Sequence, residues 1–245
     1  MFRKLILLCV LFQALLASNA PAESLRASER LVYDLTWTGV KAGTATLEFV
    51  NDGGKMKIIS TARSADWVSV FYTVEDRVES TLTNSSEHEG WAQPASYRMK
   101  IREGKHRRNK EVVFDPLKNR AVYIDYLNNE RKEFQLPPAA LDPISSFYYV
   151  RTLKLTVGEP LYVTVFDSKK VWNVEVQVLR RERISLPSGA FNTIVIKPMM
   201  KSEGFFSRKG DIFIWLTDDS KHIPVKMQTK APVGSITATL VQGAY

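Results

Sequence analysis

The histidines and the cysteine are the residues of this chain that could bind a metal ion. His88, His106 and His222 are the only histidines, and Cys9 is the only cysteine. Each histidine lies among polar or turn residues, without a second ligand at the spacing that a zinc site requires. Cys9 lies inside an apolar N-terminal run and is not available as a partner. We therefore expect no metal site and no cofactor.

The serine and aspartate pairs are the residues that could support hydrolysis. Asp218 and Asp219 could act as the two acids of a glycosidase, but adjacent strand residues point to opposite faces, and Thr-Asp-Asp-Ser is typical of a hairpin turn. The sequence contains no Gly-x-Ser-x-Gly elbow. Ser145 and Ser146 fit the first turn of a helix, whose free N–H groups such side chains bind. We therefore expect that this protein is not an enzyme.

Asp142 and Arg151 are the strongest candidates for a binding role. Arg151 continues the apolar stripe of Ile144 and Tyr148 on a predicted helix, so its guanidinium should be at least partly buried and should need an anionic partner. Two interpretations remain open. Arg151 forms an ion pair that ties the helix to a strand, or it faces the carboxylate or phosphate of a ligand.

Several aromatic residues could line a ligand site. Trp67, Phe71, Tyr72 and the pair Phe205 and Phe206 lie in segments with poor periodicity. They either line a lipid-sized groove or cap the end of a barrel. Trp37, on the first predicted strand, is a further candidate because period-two alternation directs it toward the barrel interior.

The densest charge feature runs from Lys100 to Lys110, and Gly104 places it on a hairpin. It is interpreted either as a solvated hairpin or as a contact for an anionic surface, which would be sensitive to salt. The residues predicted for such a contact are Arg102, Lys105, Arg107, Arg108 and Lys110.

The N-terminus has the pattern of a secretory signal peptide over residues 1–22. Arg3 and Lys4 precede an apolar run, and a small-residue cleavage site follows at Ala20 or Ala22. The run is too short for a transmembrane helix, and no later segment replaces it. The chain has 34 basic and 26 acidic residues, and removal of Arg3 and Lys4 lowers the net charge from +8 to +6. We expect a periplasmic protein that could lie against the membrane and does not bind nucleic acid.

The rest of the sequence predicts an all-β fold in residues 23–245. Apolar and polar residues alternate with period two in most segments, which is typical of half-buried antiparallel strands. Twelve to fifteen strands are expected. Asp142-Pro143 predicts a helix over about 142–153. We predict a single domain: an open or partly closed antiparallel barrel or roll with one helix bridging β halves at 23–136 and 155–245.

Six short motifs, which follow one another along nearly the whole predicted mature chain, point to a family. They are Leu31-Val32-Tyr33 with Trp37 and Gly39-Val40-Lys41-Ala42-Gly43; Arg102-Glu103-Gly104-Lys105; Leu141-Asp142-Pro143-Ile144-Ser145-Ser146 with Tyr149 and Arg151; Pro187-Ser188-Gly189-Ala190-Phe191; Trp215-Leu216-Thr217-Asp218-Asp219 with Pro224-Val225; and Gly234-Ser235. In this order the chain resembles the exported Gram-negative proteins grouped as domain-of-unknown-function family number 3108. The resemblance implies a periplasmic β-rich fold and no assigned activity.

Three functional hypotheses follow. The first is a non-catalytic periplasmic binding protein that holds a lipid or another envelope component in its interior, since barrels of about eight or more strands can enclose a small ligand. The second is a structural or partner-binding module in envelope assembly that uses the basic hairpin or the sheet edges. The third is a hydrolase of envelope polymers. The expected partners are a lipid, a glycan or an envelope protein.

Overall fold

A computed structural model of the chain describes residues 28–52, 55–88, 91–199, 211–230 and 234–245. The predicted signal peptide at 1–22 lies outside the described residues, and so do Phe205 and Phe206.

The first half of the fold is an antiparallel meander with one short helix. Its elements are β1 (Glu29–Trp37), β2 (Val40–Asp52), β3 (Lys55–Ser64), α1 (Asp66–Ser69), β4 (Glu75–His88), β5 (Trp91–Glu103), β6 (His106–Asp115), a 3₁₀ turn (Pro116–Lys118), β7 (Arg120–Asp125) and β8 (Glu130–Gln135).

A longer helix then leads into a second meander. These elements are α2 (Pro143–Thr152), β9 (Leu161–Asp167), β10 (Lys170–Leu186), β11 (Gly189–Met199), β12 (Ile212–Thr217), β13 (Pro224–Lys230) and β14 (Ser235–Ala244). Neither α1 nor α2 has the length and apolar composition that a membrane-crossing helix needs, within the described residues.

The fourteen described strands form one sheet in the order β8-β7-β6-β5-β4-β3-β2-β1-β14-β13-β12-β11-β10-β9. All neighbouring strands are antiparallel, and the two meanders are joined where β1 pairs with β14, as in the pair Leu35 and Ala238. The sheet is not closed, because β8 and β9 are its two edges. This confirms the predicted all-β fold, an open or partly closed antiparallel barrel or roll, with α2 as the helix between its two halves.

Side chains and one short segment bridge the seam between β8 and β9. The backbone of Leu141, just before α2, pairs with β9: its N–H donates to the Thr164 carbonyl at 3.0 Å, and its carbonyl accepts from the Phe166 N–H at 2.8 Å. Phe166 also packs against Phe134 of β8, with ring centroids 5.3 Å apart. The edge of β9 is therefore partly covered by the chain itself.

Apolar side chains fill the described interior. One cluster joins α2 to β1–β4, the start of β5 and β9–β14, with Phe49 and Ile58 both fully buried, and a second cluster lies between β5–β8 and Phe166. The described interior therefore has the packing of a core.

Candidate functional site

Arg151 and Glu29 form a buried ion pair between α2 and β1. The Nη1 and Nη2 atoms of Arg151 donate to Oε1 and Oε2 of Glu29 at 2.8 and 2.7 Å. Its Nε atom donates to the backbone carbonyl of His222 at 3.0 Å, and the Tyr148 hydroxyl donates to Glu29 at 3.0 Å. Arg151 is only 1% exposed, so the pair is closed to solvent.

The electrostatics of this pair favour the charged guanidinium. Burial opposes the charge on Arg151, but the hydrogen bonds and the negative charge of Glu29 outweigh that cost and raise the pKa of the guanidinium. Its carbon also lies 4.7 Å from the centroid of the Tyr148 ring. Of the two interpretations of Arg151, the geometry shows the ion pair that ties the helix to a strand. We assign Arg151 to the stability of the fold.

Asp142 is the N-cap of α2 and is fully buried. Its carboxylate accepts hydrogen bonds from the backbone N–H groups of Ile144 and Ser145 at 3.0 and 2.9 Å. The Ser145 hydroxyl in turn accepts from the Asp142 N–H at 3.1 Å, which completes a capping box. The Ser80 hydroxyl of β4 donates to the same carboxylate at 2.6 Å. Asp142 thus positions the helix against the sheet.

Trp37 lies at the rim of the barrel. It is the last residue of β1, on the same face as Leu31 and Tyr33, and it is 44% exposed, whereas those two residues are buried. The register shift against β2 between Leu35 and Thr36 comes from an extra residue on β2, Ala42, so the alternation of β1 continues to its end. A ligand-binding role of Trp37 stays a prediction, at the exposed rim and not within the packed core.

The polar groups considered for catalysis belong to turns and surface contacts. The Asp219 carboxylate accepts hydrogen bonds from the N–H groups of Lys221 and His222 at 2.9 and 3.2 Å, which is a turn, and Asp218 forms an ion pair with Arg181 at 2.8 Å. The described residues contain no group of three potential metal ligands.

The basic hairpin β5–β6 presents its charges on two faces. Arg102 and Arg107 lie directly opposite each other near the tip on the outer face, and Lys105 is exposed at the tip. Arg108 and Lys110 point to the inner face. Lys110 lies 3.9 Å from the buried Asp125. The prediction that all five cations share one surface is therefore wrong for Arg108 and Lys110, because successive strand residues alternate between faces.

One end of the barrel, which we call the aromatic end, collects every second strand connection. Within the described residues, these are the connections β1–β2, β3–β4, β5–β6, β7–β8, β9–β10 and β13–β14, because consecutive antiparallel strands turn at alternate ends. The β11–β12 connection at 200–210 lies outside the described residues. Contacts tie these connections together. The Thr38 N–H donates to the Ser235 carbonyl at 2.9 Å, and the Trp67 indole donates to the Lys41 carbonyl at 3.0 Å.

Exposed apolar side chains concentrate at the aromatic end. Within the described residues, fourteen large apolar side chains are exposed, and nine of them lie there. They are Trp37, Val40, Trp67, Val70, Phe71, Tyr72, Tyr126, Leu127 and Ile236. The most exposed belong to the β3–β4 connection, with Val70 at 83% and Phe71 at 71%. An exposed cluster of this kind usually marks an interaction surface.

The β3–β4 connection packs directly on the basic hairpin. The Gly104 N–H donates to the Thr73 carbonyl at 2.8 Å. Gly104 has a φ of +56°, and a Cβ atom there would lie 2.6 Å from the Tyr72 ring, so a glycine is required for this turn and this close contact. The exposed aromatic residues and the hairpin cations are therefore held side by side.

Sequence reasoning identified part of this surface and missed the rest. It singled out Trp67, Phe71 and Tyr72 by their poor periodicity. It missed Val70 and Leu127, because isolated apolar residues in turns carry no periodic signal. It also missed Glu29 as the partner of Arg151, since nothing local in the sequence links residues 122 positions apart.

Comparisons with solved structures support the architecture. A crystal structure of a β-barrel-like protein of domain of unknown function DUF1849 from Brucella abortus has a TM-score of 0.56 at 12% identity, covering 89% of this chain and 97% of that chain.

Two other structures are less similar. One, from Bacteroides fragilis, is described as a candidate exported protein with a YmcC-like fold (TM-score 0.33, 9% identity, 89% and 95% covered). The other, from Parabacteroides distasonis, is described as a candidate lipoprotein (TM-score 0.34, 11% identity, 91% and 98% covered).

No curated protein matches the chain significantly. A family model does match, over residues 32–241, and its description is protein of unknown function (DUF3108). The match spans both meanders and α2. It confirms the family resemblance that the six motifs indicated. The chain belongs to the DUF3108 family.

Proposed function

We propose that this protein is a non-catalytic binding protein of the bacterial cell envelope that docks through its aromatic end on an anionic membrane surface. The observation that carries the proposal is the placement of exposed aromatic residues beside exposed cations at one end of the barrel. Tryptophan and tyrosine side chains favour the headgroup level of a bilayer, and basic residues close to them attract anionic lipids.

The local geometry fits a bilayer surface. Trp67 and Phe71 contact each other edge to face at 6.1 Å and remain largely exposed. Arg107 stays at the hairpin tip, where its guanidinium donates to the Gly104 carbonyl at 2.7 Å. Apolar contact and charge attraction would thus act on the same surface.

The packed interior weighs against the first sequence hypothesis. A lipid of ordinary size needs a cavity of several hundred Å³, whereas the described interior is occupied by the buried side chains of the two core clusters, among which Leu31, Phe49 and Ile58 are fully buried. The surface hypothesis needs no such cavity. We therefore favour lipid contact at the aromatic end over a lipid carried inside.

Docking is tested by co-sedimentation of the exported, processed protein with lipid vesicles. We expect binding at low salt to vesicles that contain phosphatidylglycerol, and much weaker binding to vesicles of phosphatidylcholine alone. Binding should be lost at about 1 M salt, where the Debye length is about 3 Å. Lys105→Gln and Arg107→Gln should each weaken binding about fivefold, since one cation near an anionic surface contributes about 1 kcal/mol. Val70→Ser with Phe71→Ser should weaken it further.

The opposite end of the barrel provides matched controls. Leu117 is 88% exposed, and Lys118 is a neighbouring surface cation. Both lie in the 3₁₀ turn between β6 and β7. Leu117→Ser and Lys118→Gln should bind vesicles like the wild type. Equal binding to both vesicle types, equal losses in the controls, or binding to a partner protein without binding to vesicles would contradict the proposal.

A further inference from the structure

The outer face of β4 and β5 carries a second polar site, which we call the β4–β5 groove. Four charged side chains line a cavity of about 230 Å³: Arg77, Glu79, Arg98 and Lys100. They are cross-strand neighbours, since Arg77 lies opposite Lys100 and Glu79 lies opposite Arg98. The groove is open to solvent and lies on the barrel wall, where it borders Tyr126 of the aromatic end: the Arg98 guanidinium lies 5.3 Å from the centroid of the Tyr126 ring.

The charges of the groove are only partly balanced. Arg77 forms an ion pair with Glu79 on its own strand. Arg98 lies 3.9 Å from Glu111. Lys100 forms no ion pair among the described residues, and it faces a second cation, Arg77, directly across the strands. Like charges in directly opposed positions destabilise a sheet, so an anion between them would remove a local cost.

Two buried polar atoms beside Lys100 also have no partner within the described residues. They are Nε of Arg98 and Oδ1 of Asn109, which lies directly opposite Lys100 on β6. A buried polar atom without a hydrogen bond costs free energy. The two atoms lie at the floor of the groove, next to its exposed cations. Arg98 and Lys100 lie two residues apart on the same face of β5 and both line the groove, so two cationic side chains can approach one acceptor group.

We propose that the β4–β5 groove binds a phosphate group, in the form of a phosphate monoester that carries hydroxyl groups. Guanidinium and ammonium groups are the usual protein ligands of phosphate. Glu79 lines the same cavity and can accept a hydrogen bond from a hydroxyl group of the ester, which bare inorganic phosphate does not supply. The groove is open to solvent, so a group attached to the phosphate can extend along or out of it. The inference is independent of membrane docking.

The binding test is isothermal titration calorimetry of the exported, processed protein at low salt. We expect saturable binding of one glucose 6-phosphate per chain, weaker binding of inorganic phosphate, and no binding of glucose. Lys100→Gln should weaken glucose 6-phosphate binding at least tenfold. Glu79→Gln should reduce the preference for the ester over inorganic phosphate.

A strand lysine that forms no ion pair with any described residue provides the matched control. Lys57 is exposed on the outer face of β3, adjacent to β4, and Lys57→Gln should bind like the wild type.

A second measurement separates the two sources of a phosphate monoester, a soluble sugar phosphate and a lipid headgroup. If Lys100→Gln loses binding to vesicles containing phosphatidic acid but soluble glucose 6-phosphate never binds, the proposed soluble ligand is wrong. No heat with either phosphate, or an equal loss in Lys57→Gln, would also overturn the proposal.

Discussion

Replacement of Arg151 by methionine is expected to lower the free energy of unfolding by about 3–5 kcal/mol, because it leaves the Glu29 carboxylate buried without its partner. The hydroxyl of Tyr148 would remain as a neutral donor to that carboxylate, and one neutral hydrogen bond does not replace a bidentate pair. Urea unfolding followed by tryptophan fluorescence measures the change.

Two further variants separate charge burial from simple loss of contacts. The double variant Glu29→Leu with Arg151→Met removes both charges, and we expect it to recover most of the lost stability, because buried ion pairs can be replaced by apolar groups of similar volume. Arg120→Met breaks an exposed pair with Glu133 and should cost about 1 kcal/mol or less. If Arg151→Met unfolds at the same urea concentration as Arg120→Met, the buried pair does not stabilise the fold.

Replacement of Asp142 by alanine is expected to cost about 2–4 kcal/mol. The loss of an N-cap costs about 1–2 kcal/mol, and the buried Ser80 hydroxyl would lose its acceptor, which costs about 1–3 kcal/mol. Asp142→Asn is the matched variant, because asparagine caps helices as well as aspartate does. We expect Asp142→Asn to be at least as stable as the wild type at pH 7 in the same urea experiment.

The Asp142 carboxyl makes the free energy of unfolding depend on pH, and the direction of that dependence follows from its pKa. Burial raises the pKa of the Asp142 carboxyl, and the hydrogen bonds from Ser80, Ser145 and Ile144 offset this only in part. The folded protein therefore holds this proton more tightly than the unfolded chain, whose pKa is about 3.9. The contribution of the carboxyl to stability is largest below that value and falls as the pH rises through the raised pKa.

Asp142→Asn cannot titrate at this position. The stability of the wild type relative to Asp142→Asn should therefore decrease from pH 3 upward through the acidic range, and unfolding curves of both proteins at a series of pH values measure it. A difference that stays constant, or that increases with pH, would show that the hydrogen bonds outweigh burial and that the pKa is not raised.

Local signals in the sequence were sufficient for much of the fold. Asp142-Pro143 marks the start of α2 within one residue, because an N-cap and a first-turn proline act on the adjacent backbone alone. Period-two alternation marked the strands for the same reason, since it reflects one buried face on each strand. The open or partly closed antiparallel barrel followed from the number of strands and from the helix predicted between its two halves.

The site could be predicted only where a single segment determines it. Glu29 and Arg151 are brought together by the pairing of distant strands, and no pattern near either residue specifies the other. The β4–β5 groove requires the register that places Lys100 opposite Arg77, and register depends on the whole sheet. The exposure of Trp37 could not be predicted, because alternation gives the face of a strand residue and not where along the strand the core ends.

The pairing of β1 with β14 has a consequence for the order of folding. The first strand of the described chain is hydrogen-bonded to the last, so this contact spans about the longest sequence separation that the protein offers. Contacts between distant residues close large loops and slow the folding of a domain. Because synthesis begins at the N-terminus, the β1–β8 meander can form early. The edge of β1 that does not pair with β2 stays unpaired until the ten residues of β14 are available. The pairing of the first described strand is therefore completed only by the last described one.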